Sequence, residues 1–287
     1  MPHQPKPAIR IGVGGWTYEP WRGVFYPEGL PQKRELDYAS RKLTSIEVNG
    51  TYYGSQKPET FAKWHDETPD DFVFSLKAPR FATNRRVLAE AGPSIERFFS
   101  GGVLELRDKL GPINWQFMAT KKFDPEDFQA FLRLLPNSVE GRAIRHVVEV
   151  RHDSFRSADF VALAREHGVA IVVAGDSGYP QIGDATAPFV YARIMGTSEG
   201  EPAGHSDDAL DGWVRCARAW VSGRSPEAVA TVAPPLDAKG GRDAKPGGDA
   251  RAGRDVKGGR DVFLYVISGH KVCNPAAAMA MIERVRS

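Results

Sequence analysis

Two short apolar runs end in ionisable side chains, Ile46-Glu47-Val48-Asn49 and Val148-Glu149-Val150-Arg151-His152. Successive side chains of a strand point to opposite faces, so Glu47 shares a side with Asn49, and Glu149 with Arg151. Charges carried into an interior must be paired or must serve a ligand. Comparable endings recur along the chain. Lys77 and Arg80 follow the run Phe72 to Leu76, Gln116 lies near the end of Ile113 to Phe117, and Asp176 follows Ala170 to Ala174. Arg193 stands in Phe189 to Ile194, and His270 and Lys271 follow Val262 to Ile267.

A ring of this kind suits an anion, because guanidinium forks match phosphate and carboxylate and a lysine adds a point charge. Lys77, Arg151 and Arg193 are the expected clamp. Glu47, Glu149 and Lys77 are the candidates for general acid and base work, with hydrolysis and isomerisation both open. Trp16, Asn49, Tyr52, Arg80, His152, Asp176 and Lys271 complete the expected ligand set. The alternative for Glu47, Glu149, Lys77, Arg151 and Arg193 is a closed ion-pair network without chemistry. A metal centre would draw on Glu47, Glu149, Asp176, His152 and His270. No His-x-x-x-His spacing supports it and the neighbouring cations oppose it, so no metal or cofactor is expected. No Gly-x-Ser-x-Gly elbow or Walker loop is present, and neither cysteine has a histidine partner in sequence, which argues against serine or cysteine nucleophiles.

Trp16, Tyr18, Trp21, Phe25 and Tyr26 crowd the loop after the first run, together with Arg22. Phe25 and Tyr26 read as a satellite hydrophobic cluster. Trp16, directly after Gly14-Gly15, is placed to overhang a pocket and to stack on a ligand ring. Trp64, Trp213 and Trp220 lie at core-like helical spacing.

Positioning such side chains together requires parallel strands. Strands are predicted at Ile9 to Val13, Ser45 to Val48, Phe72 to Leu76, Ile113 to Phe117, His146 to Val150, Ala170 to Ala174, Phe189 to Ile194 and Val262 to Ile267. Several are too continuously apolar for a half-exposed sheet. Helical periods fall at Glu35 to Leu43, Glu59 to Glu67, Ser94 to Leu110, Pro125 to Leu135, Ala158 to His167, Asp208 to Val221 and Pro275 to Val285. Asp124-Pro125 and Asn274-Pro275 pair a capping side chain with proline at the first helical position, Ser157 and Ser206 precede acidic first turns, and Gly168 closes the fifth helix. Eight strands alternating with helices in about 250 residues predict a TIM (β/α)8 barrel, whose ligand sites lie at the carboxyl ends of the strands. Gly175 to Pro188 has no helical period, so the sixth helix is expected to be short or absent. A doubly wound sheet is disfavoured, since Gly12-Val13-Gly14-Gly15-Trp16 is not a dinucleotide fingerprint.

The 287 residues, 41% apolar and 10% aromatic, suffice for one barrel domain over residues 1–287. From Lys239 to Asp261 the chain repeats every six residues, with Asp243, Asp249, Asp255 and Asp261 in register. Its Gly, Ala, Lys, Arg and Asp composition predicts a low-complexity loop that does not order, before the eighth strand. Net charge +2 is too mild for a dedicated nucleic-acid binder. No run approaches the roughly 18 apolar residues of a membrane span and Met1 to Arg10 lacks a leader's apolar region, so a cytoplasmic protein without a membrane partner is expected. Cys216 and Cys273 show neither metal spacing nor a disulfide framework and are expected to be free thiols.

These phrases resemble the YecE-like family, the domain of unknown function 72. The likeness rests on Ile11-Gly12-Val13-Gly14-Gly15-Trp16, Trp21-Arg22-Gly23-Val24-Phe25-Tyr26-Pro27, Glu47-Val48-Asn49-Gly50-Thr51-Tyr52-Tyr53, Lys77-Ala78-Pro79-Arg80, Glu149-Val150-Arg151-His152 and Tyr191-Ala192-Arg193. It implies a TIM barrel and no established activity. By fold analogy alone it suggests nucleic acid or a sugar phosphate. The chain departs from the family pattern at Ser268-Gly269-His270-Lys271, where an Asp-Asn-Asp stretch is frequent, which further weakens a carboxylate metal site. Gln116-Phe117-Met118-Ala119 likewise replaces a frequent Gln-Leu-Pro-Pro. The expectation is a barrel that binds a phosphorylated or otherwise anionic small ligand at its mouth. A metal-dependent phosphodiesterase or nuclease, and a non-catalytic barrel binding nucleic acid or a protein partner, are the rivals.

Overall fold

Alternation of apolar and polar faces, not any single motif, builds this molecule. The computed structural model describes residues 7–234 and 259–287. Eight parallel strands close into a barrel: β1 (Ile9–Gly14), β2 (Ser45–Val48), β3 (Val73–Lys77), β4 (Leu110–Gln116), β5 (His146–Glu149), β6 (Ala170–Gly175), β7 (Phe189–Ile194) and β8 (Asp261–Val266). Closure comes from β1, which pairs with β8 from Ile9↔Val262 to Val13↔Val266 and with β2 from Gly12↔Ser45 to Gly14↔Glu47. Outside lie α1 (Glu35–Lys42), α2 (Pro58–Asp66), α3 (Gly92–Ser100), α4 (Pro125–Leu134), α5 (Ala158–Glu166), α6 (Asp207–Val221) and α7 (Asn274–Arg286). No helix stands between β6 and β7, the place where the sequence has no helical period. The chain is a TIM barrel.

The outward side chains of the strands, among them Ile11, Ile46, Phe74, Trp115, Ile171, Val190 and Leu264, pack against the helices in one apolar layer. Each large side chain buried in this way contributes roughly 1.5–3 kcal/mol. Inside the barrel, Val73, Val147, Ala170, Phe189 and Phe263 form an apolar floor with Tyr191 and Tyr265 above it. The tyrosines face small residues across the barrel: Tyr265 Oη lies 2.7 Å from Ser45 Oγ, and Tyr191 Oη 2.9 Å from Ser75 Oγ. Gly12 gives the same relief on β1, since a Cβ there would fall 1.8 Å from the Ser45 carbonyl oxygen. Polarity thus rises along the barrel axis, and the next inward layer consists of Glu47, Lys77, Asn114, Gln116, Glu149 and Arg193.

The caps behave largely as the sequence implies. Asp124 accepts from the backbone amides of Glu126 and Asp127, Ser157 from that of Asp159, and Ser206 from that of Ala209. Gly168, at φ 62°, follows the end of α5. Two expectations are corrected. Ser94 to Leu110 is not one helix, because α3 stops at Ser100 and Gly102 takes φ 93° to pass Pro58, leaving only 3-10 turns from Val103 to Lys109. Asn274 does not cap α7: it is already helical, and its Oδ1 accepts from Thr197 Oγ1 at 2.8 Å.

Residues 239–258 of the hexapeptide repeat lie outside the described residues. Asp261, the last aspartate of the repeat, opens β8, with Oδ1 accepting from the Ala8 amide and Oδ2 from Arg145 Nη1. Both cysteines are free thiols. Among the described residues, no helix is long and apolar enough to cross a membrane.

Candidate functional site

Glu47 on β2, Glu149 on β5 and Arg193 on β7 meet inside the barrel because each lies at an inward position near its strand's carboxyl end. Arg193 bridges the two carboxylates, donating Nη1 to Glu149 Oε2 at 2.6 Å and Nη2 to Glu47 Oε1 at 3.1 Å. Asn114 Nδ2 reaches both, 3.4 Å from Glu47 Oε2 and 3.2 Å from Glu149 Oε2. Tyr191 Oη donates to Glu47 Oε2 at 2.5 Å. The remaining Glu149 oxygen, Oε1, takes a fork from Arg151, Nε at 2.9 Å and Nη2 at 2.7 Å.

Both carboxylates are therefore committed to the protein. Burial would raise the Glu149 pKa, but Arg193, Arg151 and Lys77 outweigh it and hold the group at about 2. A carboxylate so held is ionised at neutral pH and makes a weak general base. Burial lowers Arg193, yet the two glutamates more than compensate and raise it above its ordinary value. The alternative of an ion-pair network describes this inner ring accurately, for Glu47, Glu149, Arg193 and half of Arg151.

Lys77 stands apart from that pairing. Its ammonium makes no carboxylate salt bridge among the described residues; Nζ donates to the neutral Gln116 Oε1 at 2.6 Å and sits 4.4 Å from the Tyr52 ring centroid. Gln116 Oε1 also accepts from Arg151 Nη2 at 3.0 Å. Lys77 is only 6% exposed. Burial lowers its pKa to about 8, the pull of Glu47 and Glu149 opposing and the repulsion of Arg193 and Arg151 assisting.

Above this layer opens a cavity of about 620 Å³ lined by Gly14, Gly15, Trp16, Thr17, Val48, Asn49, Gly50, Tyr53, Gln56, Trp64, Lys77, Gln116, Arg151, Arg193, Ile267, Ser268, Lys271 and Asn274. Among the described residues its lining carries four cationic side chains and no carboxylate. Of the expected residues, Trp16, Asn49, Lys77, Arg151, Arg193 and Lys271 line it. Glu47 and Glu149 lie beneath it, and Tyr52 backs Lys77. Trp16 packs edge-on to Trp64, with centroids 4.9 Å apart. Asn49 makes no side-chain hydrogen bond among the described residues, and Lys271 Nζ rests over the Tyr18 ring at 4.8 Å. Phe25 and Tyr26 pack on Trp21 and Tyr38, the satellite cluster read from sequence.

Four expected ligand residues lie off the cavity, Tyr52 behind Lys77 and three others farther away. His152 turns back, its Nδ1 accepting from the Ser154 amide. Asp176, at φ 50°, accepts from Trp213 Nε1 at 2.9 Å and so anchors α6. Arg80 sits on the outer rim between the exposed rings of Tyr53 and Phe81. Asp176 and His152 also leave the imagined metal set, and no group of three or more His, Cys, Asp or Glu among the described residues is placed to hold an ion.

Several contributors are not expected from the sequence, Thr17 and Gln56 on the lining among them. Asn114, two residues before Gln116, was recoverable from alternation alone. Trp64 has core-like helical spacing, which cannot distinguish a core face from a cavity wall. Tyr179, whose ring lies 4.4 Å from the Arg151 guanidinium and whose Oη accepts from it at 3.4 Å, comes from the loop that replaces the sixth helix. Asn274, whose sequence context predicts a cap, lines the cavity instead.

A family model described as "Protein of unknown function DUF72" matches residues 10–245. UPF0759 protein YecE of Escherichia coli K12 is 30% identical over 147 residues, 51% of this chain and 50% of that protein, as is its counterpart in strain O157:H7. The chain thus spans about half the length of the curated relatives it matches. Among solved structures, a DUF72 family protein of Thermotoga maritima MSB8 superposes with a TM-score of 0.69 at 20% identity, covering 97% of this chain and 99% of its own. One from Enterococcus faecalis V583 gives 0.66 at 15% identity, covering 99% and 100%. Likeness at this identity shows the fold.

Proposed function

This chain belongs to the DUF72 family, and we propose that it binds a small anionic ligand, phosphorylated or carboxylated, in the cavity at the carboxyl ends of its barrel strands. The carrying observation is the sign of the lining: Lys77, Arg151, Arg193 and Lys271 face the cavity, while Glu47 and Glu149 are turned beneath it and consumed. An uncompensated cation in a concave, half-desolvated site attracts an anion more strongly than the same charge on open surface. Lys77 and Lys271 supply the charge, Asn49 an amide without a side-chain hydrogen bond among the described residues, and the outer edge of Arg151 a donor.

The test is thermal unfolding with inorganic phosphate against potassium chloride of equal ionic strength. Phosphate at a hundred times its Kd stabilises by about 2.7 kcal/mol, several degrees in Tm for a chain this size. Lys77→Met with Lys271→Met is expected to remove the shift. No shift in the unmodified protein up to tens of millimolar phosphate overturns the proposal.

A second reading, a ligand of nucleotide or single-strand size, is favoured by the rim. Tyr53 and Phe81, 65% and 60% exposed, flank Arg80 and could stack on bases next to a phosphate-holding mouth. A labelled oligonucleotide should then bind with steep salt dependence and release in Tyr53→Ala with Phe81→Ala; salt-independent binding, or none, rejects it.

A further inference from the structure

Among the buried cations of this barrel, two lysines invite comparison. Lys109 is as buried as Lys77, but its ammonium is held by three acceptors, the carbonyls of His65 and Thr68 and Thr68 Oγ1, at 2.6, 2.7 and 3.3 Å. It is a structural ion. Lys77 has one neutral acceptor, two guanidinium groups in its own layer, an aromatic face on one side and an open cavity on the other. Glu47 and Glu149 favour its charged form from beneath, but burial and the two guanidinium groups outweigh them. A lysine is made nucleophilic by desolvation and by neighbouring cations, and both conditions meet here.

We infer that Lys77 is a carbonyl-capturing amine, forming an imine with a small aldehyde or ketone whose anionic group is held by Arg151 and Lys271. The inference rests on the anion-binding reading above and names the substrate class it would serve. In the step, the neutral Nζ attacks the carbonyl carbon to form the C–N bond. The nitrogen gives up its two hydrogens, the carbonyl oxygen leaves with them as water, and no oxidant or reductant is needed. Gln116 Oε1, which Lys77 shares with Arg151, fixes the amine's direction towards the cavity. With a pKa of about 8, roughly a tenth of the amine is neutral at pH 7, against less than a thousandth for an ordinary lysine.

The probe is glycolaldehyde phosphate with sodium cyanoborohydride, applied to the full chain and read by intact mass and peptide mapping. A single adduct on Lys77, formed at least tenfold faster than on any other lysine and accelerating as pH rises through 8, supports the inference. Adducts scattered over surface lysines, with Lys77 no faster than the rest, overturn it. Lys77→Arg keeps the charge and should abolish fast labelling; fast labelling of that variant also overturns it. Phosphate protection against unfolding, measured on the same preparation, separates the two ideas. Protection without a Lys77 adduct sinks only the imine, whereas a fast Lys77 adduct without protection keeps the amine and removes the anion clamp.

Discussion

Replacing Arg193 by Met tests whether the inner ring holds the barrel mouth together. Arg193 is 2% exposed, and its two terminal nitrogens neutralise two carboxylates that are themselves buried. Removing one partner of a buried pair costs about 3–5 kcal/mol, since it strands an uncompensated charge. Here Glu47 keeps Tyr191 and Asn114 but loses its cation, while Glu149 keeps Arg151. The cost should fall within that range, about a third or more of the stability of a typical domain. Arg193, Arg151 and Lys77 together outweigh burial and bring Glu149 from an ordinary 4.5 to about 2, roughly 3 kcal/mol favouring the ionised form, of which Arg193 supplies a part.

The sign follows from that lowered value. In the unmodified protein the Glu149 contribution is present above pH 4.5 and lost as pH falls through 2. Without Arg193 the burial of Glu149 is opposed only by Arg151 and Lys77, so in the folded variant Glu149 takes up its proton at higher pH than in the unmodified protein. The deficit should therefore narrow as pH falls through the acid range towards 2. Urea unfolding followed by tryptophan fluorescence and far-ultraviolet dichroism, with coincident transitions, measures both effects. Arg151→Met is the control; its side chain is 20% exposed, and Glu149 keeps its pairing with Arg193, so it should cost about 1–2 kcal/mol. If Arg193→Met lies within 1 kcal/mol of the unmodified protein, or costs no more than the control, the ring does not carry the stability assigned to it.

Three further outcomes are expected. Sulfate, which does not titrate in this range, should bind progressively more weakly as pH rises through about 8 while Lys77 loses its proton, whereas Lys77→Arg should hold its affinity to pH 10; calorimetric titration decides. His146 accepts from Trp115 Nε1 and bonds the Pro136 carbonyl through Nε2, and burial pushes its pKa down to about 4; stability should fall by roughly 3 kcal/mol as pH drops from 6.5 to 4, and a flatter profile in His146→Gln would check it. Gly12→Ala, whose Cβ would meet the Ser45 carbonyl oxygen at 1.8 Å, should cost at least about 3 kcal/mol in urea unfolding or prevent folding.

Much of this molecule is written locally. The eight strands lie within about three residues of their predicted bounds, the sixth helix is missing where Gly175 to Pro188 lacks a period, and Asp124, Ser157 and Ser206 cap the helices they precede. Alternation also puts Glu47, Lys77, Glu149 and Arg193 on inward faces at one end, because the strand repeat of two depends on nothing beyond the neighbouring residues. What each of those groups does there was decided only by closure of the barrel. Arg193 reaches Glu47 across 146 positions of chain, and that contact leaves Lys77 with an amide instead of a carboxylate. Loop geometry likewise carries Asp176 and His152 away from the cavity and brings Tyr179 against Arg151, while α2 sets Trp64 in the cavity wall. Face is a property of a strand, whereas partnership is a property of the gap between strands, set by stagger, by neighbouring side-chain volume and by competition among Lys77, Arg151 and Arg193 for the same few oxygens.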